Sequence, residues 1–252
     1  MVDAEIQPPP PTLYSYQPGV NPPQPDHGET RVYRVALDAC EAGDAFAEAP
    51  EWEWLTVDER ARAQRLVRPR DGRRFVLCRG ALRVIVAGLL DREPGAVEFR
   101  SGPGGKPILP PREPGNQPPW HFNVSHSGDL ALIAVSRTRE LGVDVEKTRT
   151  ISEAARIVRS YFTETETEQF HQLEETARAD AFIRGWTRKE AILKAQGVGL
   201  AGLATGFETM FGVAELNREF APCRPASIVL GWSLWEACPQ PGYVAALALA
   251  HG

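Results

Sequence analysis

Close cysteine pairs are missing from this chain. Cys40, Cys78, Cys223 and Cys238 stand far apart, so neither a zinc site nor a thioredoxin-type motif is signalled. Long apolar runs are missing too: no stretch would cross a bilayer, and no basic segment leads into an apolar one as a leader would. The expectation is a cytoplasmic protein without membrane partners. Basic charge is not in excess, since 28 Lys and Arg against 33 Asp and Glu leave −5. That balance argues against bulk nucleic-acid binding and leaves room for a local basic pocket. No residue-level repeat is visible, although strands and one long amphipathic helix fall on either side of residue 140.

Proline is plentiful, and it gathers at the start. Pro8 to Pro11 are consecutive, and Pro18, Pro22, Pro23 and Pro25 follow. Proline fixes φ and lacks an amide donor, so residues 1–29 are expected to be extended or disordered and to drape over the surface. Arg31 to Leu37 then alternates as a first strand should. Thr56-Val57-Asp58-Glu59 has the spacing of a capping box and predicts a helix start. Arg60, Arg62, Arg65, Arg68, Arg70, Arg73 and Arg74 come behind it, with only Asp71 opposing them; such clusters suit phosphate, although each arginine could simply be solvated. The pattern over 75–90 predicts an amphipathic helix that buries Phe75, Leu77, Leu82, Ile85, Val86 and Leu89 and leaves Arg79 and Arg83 polar.

Strands are expected over 97–100, 120–124, 130–136 and 142–146. Ser152 is a plausible cap for a helix running to Tyr161, and Thr163 to Glu166 repeats the capping-box spacing. Residues 181–196 form the most strongly patterned helix. Phe182, Trp186, Ile192 and Leu193 make its apolar stripe, while Arg188, Lys189, Glu190 and Lys194 are polar. It should stop at Gly197. Three strand-like segments close the chain, at about 206–213, 226–235 and 243–250.

Two attractive motifs fail. Ser101 to Pro107 has the wrong spacing for a Walker loop, with Pro107 where a hydroxyl residue belongs; Gly197 to Gly202 spells G-x-G-x-x-G but follows a helix. Ser125 and His126 do not sit on a G-x-S-x-G elbow, so a serine hydrolase is excluded, and His121 with His126 lacks metal-ligand spacing. Three carboxylates are left. In Leu141 to Lys147, Val143 and Val145 alternate with Asp144 and Glu146, so both acids share one strand face. Glu190 joins them from a helix, with Lys189, Lys194, Lys106 and the arginines as surrounding cations. Anions converging from distant segments call for a divalent cation, and a phosphate ester calls for that cation plus lysine or arginine. The pattern supports magnesium-dependent phosphate chemistry and does not choose among transfer, hydrolysis and binding.

Phe122-Asn123-Val124-Ser125-His126-Ser127, Gly142-Val143-Asp144-Val145-Glu146 and the run from Trp186 to Gly199 together resemble the signature blocks of the 4′-phosphopantetheinyl transferases. The likeness is to the larger, single-chain type that activates peptide and polyketide synthases. Gly105-Lys106-Pro107, Arg73-Arg74-Phe75 and Arg79 to Arg83 also fit, whereas residues 1–29 have no counterpart. The resemblance implies an α+β fold: two similar halves, 30–140 and 141–252, related by pseudo-two-fold symmetry, each with a small mainly antiparallel sheet on a long helix. It implies a monomer that moves the phosphopantetheine arm of coenzyme A to a serine of an apo acyl-, peptidyl- or aryl-carrier protein and releases adenosine 3′,5′-bisphosphate.

Carried over residue by residue, Asp144, Glu146 and Glu190 match the ligands of Mg²⁺ (Mn²⁺ being the alternative ion). Asp144, Glu190 and Lys194 match the catalytic set, and Arg62, Arg74, Lys106, Ser125, His126 and Lys194 match the coenzyme A contacts. Either Glu190 or a metal-bound water would accept the serine proton. Glu166 matches a family glutamate and equally completes a capping box. Phe75 departs from the pattern, standing where some relatives place a small polar residue beside the cofactor. The competing readings are an idle coenzyme A- or carrier-binding module and a proline-rich scaffold.

Overall fold

The structure, a computed structural model, describes residues 8–18, 20, 22, 24–26, 28–38, 49–102, 105–110, 120–199, 207–209, 211, 216–223 and 231–251. Met1 to Gln7, Cys40, half of the expected 206–213 strand, the start of the 226–235 strand and the end of the G-x-G-x-x-G run lie outside them, and the described residues 207–209 and 211 form no strand element.

A strand forms inside the proline-rich extension. Thr12–Ser15 (β1) pairs in parallel with Thr30–Ala36 (β2), with Thr12 opposite Arg31 and Ser15 opposite Arg34. The prolines stop at Pro11 and resume at Pro18, so the residues between them keep their amides and include the β-favouring Thr12, Leu13, Tyr14 and Tyr16. Polyproline geometry therefore does not extend through this segment. Pro8, Pro11 and Pro25 are buried, and Tyr14 and Tyr16 pack against the core beneath.

The arginine-rich segment forms two helices, Val57–Gln64 (α1) and Pro69–Leu90 (α2). The capping box at Thr56 and Glu59 closes as its spacing predicts. Pro69 enforces the second start: it suits the first helical turn, where no amide bond is lost, and it disfavours helical geometry at Arg68. Arg100–Ser101 (β3) and Pro107–Ile108 (β4) form a minimal hairpin. His121–Ser127 (β5) and Leu130–Ser136 (β6) complete a sheet of order β1-β2-β6-β5, antiparallel except at β1. The expected 97–100 strand is confined to its last residue.

Leu141–Lys147 (β7) opens a second sheet. Ala154–Tyr161 (α3), Glu164–Gln172 (α4) and Glu175–Gln196 (α5) follow. Ala221–Pro222 (β8), Trp232–Ala237 (β9) and Tyr243–Ala250 (β10) complete the order β7-β10-β9-β8, all antiparallel. The Thr163–Glu166 box closes, and Gly197 ends α5 at φ +70°, a left-handed turn that suits glycine. Ser152 does not cap α3; Glu153 holds that position without a side-chain bond.

Alternation within the strands builds the layers. Tyr33, Val35, Ala131, Ile133 and Val135 face Leu82, Ile85 and Val86 of α2. Their neighbours Val32, Leu130, Leu132 and Ala134 face Leu141, Val143, Val145, Ala245 and Leu247 of the second sheet. Beyond that sheet Ala246 and Ala248 meet Ala191 and Ile192 of α5. The order is helix, sheet, sheet, helix, an α+β architecture with each four-stranded sheet backed by a helix of 22 residues.

Each long helix also buries arginine. Arg83 is 1% exposed, and it and Arg79 clamp Glu59 at 2.8 and 2.6 Å. Arg83 is therefore not on the wet face that its helical position suggests. Phe75, expected inside, is only half-buried.

The extension meets a buried acid. The Tyr16 hydroxyl lies beside the Glu51 carboxyl, and burial raises the proton affinity of both. Glu51 is 1% exposed, and a Cβ on Gly80 would fall 2.3 Å from its Cβ. A carboxyl whose folded pKa is raised favours the fold below its unfolded pKa and loses that contribution as pH rises through the folded value. Glu51→Gln is thus expected to melt above wild type at pH 8, the gap closing toward pH 4. Thermal unfolding across that range checks it, and a gap that widens on acidification would refute the assignment.

Candidate active site

Strands β5 and β7, the neighbouring edges of the two sheets, join through side chains. On alternate residues of β5, Asn123 Oδ1, Ser125 Oγ and Ser127 Oγ accept the amides of Val143, Val145 and Lys147 at 3.0, 3.3 and 3.1 Å. A two-residue step on one strand matches a two-residue step on the other. The serine hydroxyls then donate back: Ser125 to Asp144 Oδ1 and Ser127 to Glu146 Oε2, both at 2.8 Å. This seam is what the Asn-x-Ser-x-Ser spacing encodes.

Gly142 brings the helix in. A Cβ there would lie 2.1 Å from the Ala191 carbonyl oxygen and 2.3 Å from the Ala195 amide nitrogen. Only glycine lets α5 lie so close on β7. Asp144 and Glu146, on the same strand face as Gly142, thereby meet Glu190 and Lys194. Lys194 Nζ reaches Asp144 Oδ1 at 2.6 Å and donates to Ser125 Oγ at 2.9 Å. Burial raises the pKa of Glu190, and the charges of Asp144 and Glu146 raise it further; Glu146 is raised by burial and by Asp144. The three carboxylates therefore sense one another's charge, with Lys194 as their close cation.

Cations gather on the adjoining side. His126 is exposed at the rim, and partial burial together with Lys194 and Arg74 lowers its pKa. Arg74 is held in a fork by Asp38, with Nε to Oδ1 and Nη2 to Oδ2 both at 3.0 Å, and Arg70 joins it there. The two guanidiniums bring the Asp38 pKa down to about 2. Lys106 Nζ donates to the Lys194 carbonyl at 3.0 Å, tying β4's leading loop to the last turn of α5, and burial lowers its pKa. Arg62 is exposed on α1 with its guanidinium 5.0 Å over the Phe75 ring.

No group of three or more His, Cys, Asp or Glu among the described residues stands arranged to hold a metal ion. The donor chemistry nevertheless fits one. Asp144 is 3% exposed, and its Oδ2 is buried without a hydrogen-bond partner. An unpartnered carboxylate oxygen beside two further acids is costly unless a cation meets it.

Known proteins share this arrangement of sequence. A family model described as "4′-phosphopantetheinyl transferase superfamily" matches residues 140–245, and one described as "4′-phosphopantetheinyl transferase, N-terminal" matches 49–138. The 4′-phosphopantetheinyl transferase HetI of Nostoc sp. is 38% identical over 226 residues, 88% of each chain. The chain belongs to the 4′-phosphopantetheinyl transferase superfamily. The transferase Sfp of Bacillus subtilis is 25% identical over 229 residues, covering 88% of this chain and 92% of that one. The human L-aminoadipate-semialdehyde dehydrogenase-phosphopantetheinyl transferase is 31% identical over 182 residues, 66% of this chain and 57% of its own.

Two candidates of this transferase lie away from the cluster. Glu166 is fully buried; it caps α4, accepts from Thr209 and pairs with Lys189 at 2.9 Å. The capping-box reading of Glu166 is the one the geometry supports. Lys189, 1% exposed and set between the rings of Phe162 and Phe207, is not among the cluster's cations as the helix pattern suggested. Conversely, sequence reading passed over Asn123, Ser127 and Asp38. Alternating polar residues in β5 signalled the first two, whereas nothing local marked Asp38.

Proposed function

We propose that this transferase moves the 4′-phosphopantetheine arm of coenzyme A onto a serine of an apo acyl-, peptidyl- or aryl-carrier protein. The observation that carries the proposal is the meeting of Asp144, Glu146, Glu190 and Lys194 at the seam, flanked by His126 and Arg74. The serine hydroxyl attacks the phosphorus that bears the pantetheine arm. The pyrophosphate P–O bond breaks, and adenosine 3′,5′-bisphosphate leaves. Asp144, Glu146 and Glu190 would hold Mg²⁺ or Mn²⁺, which supplies charge neutralisation on the diphosphate. Lys194 offers its ammonium to the transferring phosphoryl group. Arg74, oriented by Asp38, His126 at the rim, Lys106 and Ser125 would grip the phosphates of coenzyme A, and Lys106 and Ser125 also help fix the position of Lys194. Arg62 extends the same cationic surface toward the adenine end. The serine proton passes to Glu190 or to water beside it.

The halves 30–140 and 141–252 are proposed as the two walls of the cleft, in a cytoplasmic monomer. No helix among the described residues is long and apolar enough to cross a membrane. An idle binding module is the weaker reading, because it has no use for three mutually repelling carboxylates.

Mass spectrometry of an apo carrier protein incubated with the transferase, coenzyme A and magnesium tests the proposal. The expected result is a gain of one phosphopantetheine on the carrier, abolished by a chelator. Binding of coenzyme A without any such gain, across fatty-acid, polyketide and peptide carriers, would leave only the binding module.

A further inference from the structure

We infer that Ser127 is a positioning residue that aims Glu146 at the divalent ion, an inference that rests on the metal role proposed above for Asp144, Glu146 and Glu190. Ser127 does for Glu146 what Ser125 does for Asp144. Each hydroxyl accepts a β7 amide and donates to the carboxylate one residue before that amide. The hydroxyl proton thus has one direction and the carboxylate one orientation. The two acids differ in their other partners. Asp144 is additionally held by Lys194 at 2.6 Å. Glu146 has instead Arg149, whose Nη2 lies 3.9 Å from the same Oε2 that Ser127 holds.

Arg149 is 59% exposed along its side chain, so its guanidinium is largely in solvent. With the serine hydroxyl gone, Arg149 is left as the strong donor to Glu146 and draws the carboxylate toward solvent, away from Asp144 and Glu190. Ser127 itself is 9% exposed, so bulk water does not replace its bond freely. Outer partners that orient a metal-binding carboxylate typically set affinity by about 10–100-fold.

The test is Mn²⁺ binding to the full chain, without coenzyme A or carrier, followed by electron paramagnetic resonance and calorimetry. Ser127→Ala is expected to weaken Mn²⁺ by about 10–100-fold, and Ser127→Thr, which keeps the hydroxyl in a strand-compatible side chain, to restore most of it. Adding Arg149→Ala to Ser127→Ala should recover more affinity than Arg149→Ala gives in the wild-type background, a non-additivity that a merely structural serine would not produce. Unchanged Mn²⁺ affinity in Ser127→Ala overturns the inference. So does a loss that threonine does not rescue and that only follows the melting temperature. Absence of Mn²⁺ binding by wild type alongside intact transfer would instead remove the metal reading itself, and this inference with it.

Discussion

Asp144→Asn is expected to lower kcat/KM for carrier modification by about 10³-fold, the scale of losing one preorganised electrostatic group, or about 4 kcal/mol. Donors already fix the orientation of this side chain. Ser125 Oγ and Lys194 Nζ both point at Oδ1, so an asparagine must put its carbonyl there. Its amide then occupies the position of Oδ2, the oxygen that is buried and unpartnered, and presents two N–H groups where an acceptor is required. The substitution also removes a negative charge that helps raise the pKa of Glu146 and Glu190. The fold should tolerate this or gain from it. Steady-state transfer to an apo carrier, together with thermal melting, separates the two effects. Near-wild-type turnover at equal melting temperature would take Asp144 out of the reaction.

Glu236→Ala is expected to cost about 3–5 kcal/mol of stability and to lower the melting temperature by roughly 10 °C. Glu236 is 3% exposed on β9, and its carboxylate receives Arg188 through Nε at 2.7 Å and Nη2 at 2.6 Å, and Arg184 at 3.2 Å. Both arginines are at least 98% buried. Truncating the glutamate removes the buried carboxylate that both guanidinium groups share, leaving Arg184 its longer 3.9 Å contact to Asp180, and this costs far more than losing an exposed ion pair would. Denaturant unfolding reads the loss. Replacing all three groups with methionine or leucine should recover most of it, since the penalty arises from unpaired charge rather than from the missing bonds. A loss below about 1 kcal/mol, the range of exposed pairs, would refute the buried-charge account.

The helices show where sequence reading reached and where it stopped. Capping boxes at Thr56–Glu59 and Thr163–Glu166, and the left-handed stop at Gly197, depend on groups within a few residues of one another, so spacing alone revealed them. Binary pattern placed Leu82, Ile85, Val86 and Ile192 inside for the same reason. It failed for Arg83, Arg188 and Lys189, because a long cationic side chain is buried only when an anion from elsewhere is delivered to it. Those anions are Glu59, Glu236 and Glu166, distant by 24, 48 and 23 positions in the chain. In the extension, counting prolines favoured polyproline geometry, whereas the edge of β2 offered unpaired amides that β1 satisfies.

By itself the sequence determined the chemistry that could be present: alternating acids on one short strand, a helix carrying Glu190 and Lys194, and the motif blocks that mark the superfamily. Only the tertiary structure decided that these groups meet. Gly142 lets a helix backbone rest on a strand, and the β5 side chains stitch the two sheets edge to edge. Proximity between segments dozens of residues apart is set by packing and hydrogen-bond satisfaction across the whole fold, and no local spacing carries that information.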